Sequence, residues 1–123
     1  MRYMFIDTSF LISAIDLGKD LISIGENYID EAIIPATSKQ VLDELGLLAR
    51  ENDKKIELAK KIASRFKVFE ASSSNADDSL IELCIEKKGI LATADLELMN
   101  KARDRGIPVL FLKANKKLVY FER

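Results

Sequence analysis

Histidine is absent from this chain, which removes Ser-His-Asp and Cys-His triads, His-ligated zinc and any hydrolase whose general base is an imidazole. Cys84 is the single cysteine, so neither an internal disulfide nor a thiolate metal cluster can form within the chain. Tryptophan is missing too, and only two prolines and five glycines occur, a composition unlike that of a low-complexity or disordered polymer. No apolar run approaches the roughly 18 to 20 residues of a membrane span. Met1 to Ile15 is apolar, but Asp7 interrupts it and no small-residue cleavage site follows, so it reads as a strand leading into a helix. A cytoplasmic protein with no membrane partner is expected.

Present instead are 123 residues, 48% hydrophobic and 32% charged, enough for one domain over residues 1–123 with a real core. Net charge is −1, so overall charge gives no reason to expect a nucleic-acid partner. Its distribution is uneven. Residues 50–67 and 101–123 are rich in lysine and arginine, whereas residues 1–49 and 68–100 are dominated by acids. Such segregation suits an acidic centre with basic margins, although charge runs also arise as solvated helix faces. Any catalysis falls to carboxylates, hydroxyls, lysine, tyrosine or a metal held by oxygen, and oxygen ligands favour magnesium or manganese.

Short apolar segments alternate with helical periodicity. Strands are predicted at Arg2 to Ile6, Ala32 to Pro35 (stopped by the proline), Lys67 to Phe69, Ile90 to Thr93 and Val109 to Leu112. Helices are predicted from Phe10, from Thr37 (with Gln40 at capping-box spacing) to about Arg50, and from a cap at Asn52 or Asp53 through Phe66. Two more follow, from Asn75 to Lys88 ended by Gly89, and from Leu96 to Arg105 closed by Gly106. Leu21 to Ile24 is a further apolar segment. Alternation of this kind implies an α/β/α sandwich around a parallel sheet of about five strands, because parallel strands need crossovers.

In such sheets ligands bind beyond the carboxyl ends of the strands. Asp7 follows the first strand and Asp95 lies two residues after Thr93. Asp7 also suits a plain helix cap. Glu44 borders the apolar face of its helix, and Asp77 and Asp78 open a helix, where acids are ordinary dipole partners. Three or more acids with independent reasons to point at one end of a sheet form a different case, since converging carboxylates repel until a cation neutralises them. A divalent ion held in this way can activate water against a phosphodiester.

Asp7-Thr8-Ser9, Glu44 within Val41-Leu42-Asp43-Glu44-Leu45, Ala76-Asp77-Asp78-Ser79-Leu80-Ile81, Ala92-Thr93-Ala94-Asp95 and Gly106-Ile107-Pro108-Val109 together resemble a PIN domain, over essentially the whole chain. The resemblance implies a Mg²⁺ or Mn²⁺ site and an endoribonuclease whose RNA products carry a 5′-phosphate and a 3′-hydroxyl. It implies a catalytic quartet of Asp7, Glu44, Asp78 and Asp95, with Asp7, Asp78 and Asp95 as metal ligands. Thr93, Thr8, Asp77 and Glu97 are implied as supporting residues. Between the adjacent acids two guides disagree. The local pattern Asp-x-Leu-Ile selects Asp78, the expected ligand, whereas the 18-position spacing to Asp95 common in toxin-type members selects Asp77, which also lies nearer the centre of the apolar face. The family includes VapC toxins, which pair with an antitoxin protein, and RNA-processing or quality-control nucleases. The toxin role is preferred, and a homodimer is expected.

Other classes fit less well. A response-regulator phosphoacceptor would share Thr93 and Lys113, but Glu70 follows Lys67-Val68-Phe69 where the acceptor aspartate belongs. Haloacid-dehalogenase phosphatases need an Asp where this chain has Ser9. A silent RNA-binding module would not need all four acids.

Overall fold

The computed structural model describes residues 1–48 and 53–122; Arg50 and Asn52, an expected helix end and one of two candidate caps, lie outside the described residues. Strand β1 (Arg2–Ile6) leads into helices α1 (Thr8–Leu17) and α2 (Leu21–Glu26), and β2 (Ile33–Ser38) into α3 (Lys39–Leu48) and α4 (Lys54–Ala63). Then come β3 (Lys67–Phe69), α5 (Ala76–Lys87), β4 (Ile90–Thr93), α6 (Leu96–Asp104), β5 (Val109–Leu112) and β6 (Leu118–Phe121). The sheet order is β3-β2-β1-β4-β5-β6. Strands β1 to β5 run parallel, as the alternating pattern implies, and β6 pairs antiparallel with β5.

Right-handed crossovers fix the layers. Helices α1 to α4 carry the chain outward from β1 to β3, and α5 and α6 carry it back across the other face to β4 and β5. With both faces covered, β4 and β5 are buried along their whole lengths, the expected state of central parallel strands. Phe5, Phe10, Leu45, Leu80, Leu91 and Leu110 fill the core. Cys84 on α5 is buried among them, and that burial pushes its thiol pKa up. Among the described residues no helix is long and apolar enough to cross a membrane.

Local details depart from the sequence expectations for identifiable reasons. Pro35 does not stop β2, because β3 pairs only with Ala36 to Ser38, leaving an open edge at Pro35 where a missing N–H is tolerated. The α3 cap is Ser38, whose Oγ accepts the Val41 N–H at 3.0 Å, while Thr37 stays in the strand and donates to the Ile6 carbonyl at 3.2 Å. Asp53 caps α4, accepting the Lys55 N–H at 2.8 Å. At the end of α5 the left-handed residue is Lys88, at φ 54°. Gly89 is required for a different reason: a Cβ there would sit 2.8 Å from the Phe5 ring and 2.9 Å from the Tyr3 carbonyl. β6 adds an unanticipated strand at the edge.

Candidate active site

The strand order reverses between β1 and β4, and the crevice beyond the carboxyl ends of those strands is where a doubly wound sheet places its ligand. Asp7 and Asp95 stand there, each as the N-cap of the next helix. Asp7 is only 5% exposed. Its Oδ2 accepts hydrogen bonds from Ser9 Oγ at 2.6 Å and Thr93 Oγ1 at 2.7 Å. Each hydroxyl in turn accepts a backbone N–H, Ser9 from Ala94 and Thr93 from Asp95, both at 3.0 Å. A hydroxyl that accepts from an amide donates more strongly, so two such relays fix one oxygen of Asp7. Burial nevertheless pushes the Asp7 pKa up; the two hydroxyls oppose the rise and the charge of Asp95 adds to it.

Around this anchor the other acids take distinct stations. Asp95 accepts the Leu98 N–H through Oδ1 at 3.2 Å. Glu44, on α3, accepts from Thr8 Oγ1 at 2.8 Å, which ties α3 to the start of α1. Asp77 is open to water at its surface, yet its pKa is also raised, first by the protein around its carboxyl and then by the charges of Asp7, Asp95 and Glu44. Among the described residues nothing hydrogen-bonds to it. A cavity of about 380 Å³ opens beside these groups, lined by Glu44, Asn75, Ala76, Asp77, Asp78 and Lys101.

Asp78 behaves differently. Asn75 caps α5 by accepting the Asp78 N–H at 2.8 Å, and returns its own amide to Asp78 Oδ2 at 2.8 Å. The other oxygen pairs with Lys101. The Lys101 and Asn75 bonds hold the Asp78 pKa below the usual carboxylate range. Both acids border the cavity with Glu44; the carboxyl of Asp78 is engaged by Asn75 and Lys101, whereas that of Asp77 has no hydrogen-bond partner among the described residues and feels the charges of Asp7, Asp95 and Glu44. Glu97 is exposed in the first turn of α6 and, among the described residues, takes no side-chain hydrogen bond or ion pair, so it stands apart. Ser9 was missed as a site residue. Its signal was the position two residues after Asp7 in the first helical turn, from which a hydroxyl can turn back onto the capping acid.

The donors are all carboxylate and hydroxyl oxygens, the set that suits a hard divalent cation. Among the described residues no three acidic side chains stand as a ready-made chelating cluster. The mutual charge pressure on Asp7 and Asp77 is what a cation would relieve, and in that sense the residues fit one.

Known proteins resemble this chain in sequence and fold. A chain from Archaeoglobus fulgidus named Ribonuclease VapC9 is 33% identical over 96% of this chain and 88% of its own length. The solved structure of the PIN domain endonuclease Utp24 superposes with a TM-score of 0.80 at 27% identity, covering 98% of this chain and 92% of that one. A domain of a functionally unknown protein from Methanocaldococcus jannaschii shares the fold, with a TM-score of 0.65 at 21% identity and 98% coverage of each chain. The family model described as a PIN like domain matches residues 4–115, a span that takes in every acid of the crevice as well as Ser9 and Thr93. By its sheet order, its strand-end acids and this match, the chain belongs to the PIN-like domain family.

Proposed function

We propose that this protein is a divalent-metal-dependent endoribonuclease that hydrolyses RNA phosphodiesters at the β1/β4 crevice. The observation that carries the reading is the buried Asp7, held by the Ser9 and Thr93 hydroxyls beyond the end of β1, with Asp95 capping the next helix beyond β4. The ribonuclease and endonuclease named among its relatives support it. Asp7, Asp77 and Asp95 would hold Mg²⁺ or Mn²⁺, and Glu44 completes the quartet. When bound, the ion supplies the positive charge that activates water and offsets charge on the phosphodiester.

The chain's own residues do the rest. Ser9 and Thr93 both bind Oδ2 of Asp7, so the carboxylate is held in one orientation without rotational search. Thr8 holds Glu44 in reach of the same space, as a candidate base for a water proton. Asp78 takes no direct part in this reading; its bond to Lys101 anchors α5 against α6. Cleavage of single-stranded RNA should require Mg²⁺ or Mn²⁺ and stop in EDTA. Undiminished cleavage in chelator, by protein free of contaminating nuclease, overturns the metal mechanism.

For the biological role, the preferred reading is the toxin of a VapBC pair, supported by the identity with the VapC ribonuclease. The likeness to Utp24 favours an RNA-processing nuclease as the second reading. In the toxin reading a protein antitoxin and a second copy of the chain are the expected partners, and the apolar groove between α1, α2 and α4, walled by Leu11, Ile15, Ile22, Leu58 and Ile62, supports a protein contact. Growth arrest on induction, relieved by Asp7→Asn and by coexpression of a neighbouring short protein, supports the toxin role. Absence of arrest from a catalytically active protein opposes it.

A further inference from the structure

A second cavity of about 360 Å³ lies on the β5 side of the acids, framed by Ser13, Ala94, Leu96, Phe111, Lys113 and Lys116. Ala94 and Leu96 are the immediate neighbours of Asp95, and Ser13 stands one helical turn beyond Ser9, so this space lies next to Asp95. The cavity's outer wall is the β5–β6 turn. There the Lys113 N–H bonds the Lys117 carbonyl and the Lys116 N–H bonds the Lys113 carbonyl, both at 2.9 Å, while Lys116 adopts φ 72°. Holding a lysine in the left-handed region is unfavourable where Asn or Gly would serve, and the result is that Lys113 and Lys116 both present exposed side chains at the cavity rim. Among the described residues neither ammonium makes an ion pair or a side-chain hydrogen bond, in contrast to Lys55 with Asp16 and Lys101 with Asp78.

We infer that this cavity is a nucleotide subsite that holds one unit of a single RNA strand next to the bond being cut. The inference rests on the ribonuclease reading for its substrate. Lys113 and Lys116 would each take one of the two phosphates flanking that unit, and Leu96, 59% exposed, with the Phe111 wall beneath, offers the base an apolar surface. The charge pattern points to a polyanion, since these lysines border a crevice whose acids would repel any phosphate not steered from the side. The volume suits a single nucleotide and is too small for a duplex.

Binding can be measured without catalysis. The probe is a labelled oligouridylate of about 8 nucleotides, titrated in EDTA over a range of salt. Lys113→Gln with Lys116→Asn, the latter comfortable at positive φ, should weaken binding about tenfold and reduce the slope of log Kd against log salt by about 1.4, at roughly 0.7 for each single-strand phosphate no longer neutralised. Lys60→Gln with Lys61→Gln, the same charge change in the last turn of α4 and outside the lining of this cavity, should leave both values near wild type. Leu96→Ser should weaken binding about threefold and leave the salt slope unchanged. Equal losses in the two lysine pairs, no loss in the hairpin pair, or no binding by wild type would each overturn the subsite. A wild-type protein that binds in the expected pattern but cleaves no RNA with Mn²⁺ overturns the nuclease reading and leaves the subsite standing.

Discussion

The two poles of the sheet invert the usual link between cavity size and chemistry. At the amino ends of the parallel strands lies a cavity of about 630 Å³ bordered by Arg2, Lys87, Lys88, Arg105 and Glu122, much larger than either space beside the acids. Its charge is balanced at Arg2 and the terminal amine: Arg2 pairs with Glu31 at 3.5 Å and Glu122 at 3.4 Å, and the terminal amine with Glu31 at 3.5 Å. At the carboxyl ends the spaces are smaller and the balance fails. Asp7 is buried beside hydroxyls alone, Asp77 has no ion-pair partner among the described residues, and each is pushed upward by its neighbours' charge. Helices α1, α5 and α6 all begin at this pole, capped by Asp7, Asn75 and Asp95, and their amino-terminal dipoles make it a place where several acids can coexist. Unbalanced charge held in place by the fold marks the site better than volume does.

The widest separation between the poles should come from Asp7→Asn and Asp95→Asn, each expected to lower kcat at least about 100-fold because an amide keeps the shape but not the ligand charge. Arg2→Met at the other pole breaks an exposed ion pair, worth under about 1 kcal/mol, and should leave turnover unchanged. Comparable losses at both ends would dissolve the contrast. Next comes the pair on α5: Asp77→Asn should cost about 10- to 100-fold in Mn²⁺ affinity and in RNA turnover, and Asp78→Asn should keep most of both. A reversed order, read by isothermal titration and cleavage rates side by side, would return the ligand role to Asp78.

Gly89→Ala tests the amino pole in stability alone. Its Cβ must displace the Phe5 ring and the Tyr3 carbonyl, at about 1 to 3 kcal/mol, so urea midpoints should fall while kcat holds; an unchanged midpoint would show that the ring yields freely. The smallest effect is a pH dependence in EDTA. The folded pKa of Asp7 is raised above that of the unfolded chain, so its ionised form destabilises the fold at neutral pH, and that penalty is relieved as pH falls through the raised value toward the ordinary carboxylate range. Asp7→Asn should therefore melt above wild type at pH 7 and converge with it on acidification. A variant that melts lower at every pH would show that the hydroxyl bonds to the charged oxygen outweigh burial.

Elements whose signal is local were legible in the sequence. β1, β3, β4 and β5 occur over the residues their apolar runs indicate, and Asn75 caps α5 as its spacing implies. β6 was not legible, because Lys113 to Lys117 contains neither Asn-Gly nor Asp-Gly at the turn and a lysine fills the left-handed position; pairing with β5, not local chemistry, makes that strand. The two adjacent acids show a subtler limit. Pattern matching chose Asp78, and the structure engages that carboxylate with Asn75 from one direction and Lys101, 23 positions away, from another. A contact that distant has no trace in a local motif. The other cue, Asp77 nearer the middle of the helix's inward stripe, depends on helical period alone, and the unpaired carboxyl of Asp77 is what makes it the proposed ligand.

Cys84, buried in α5 with its thiol pKa pushed up by burial, should react slowly with thiol reagents in the native protein, since little of it is exposed and the reactive thiolate is suppressed. Its alkylation rate then reports how often the molecule opens. As the chain's single cysteine, it gives one uncontested clock, so mass shifts after brief exposure to iodoacetamide would rank variants by opening frequency in crude extract.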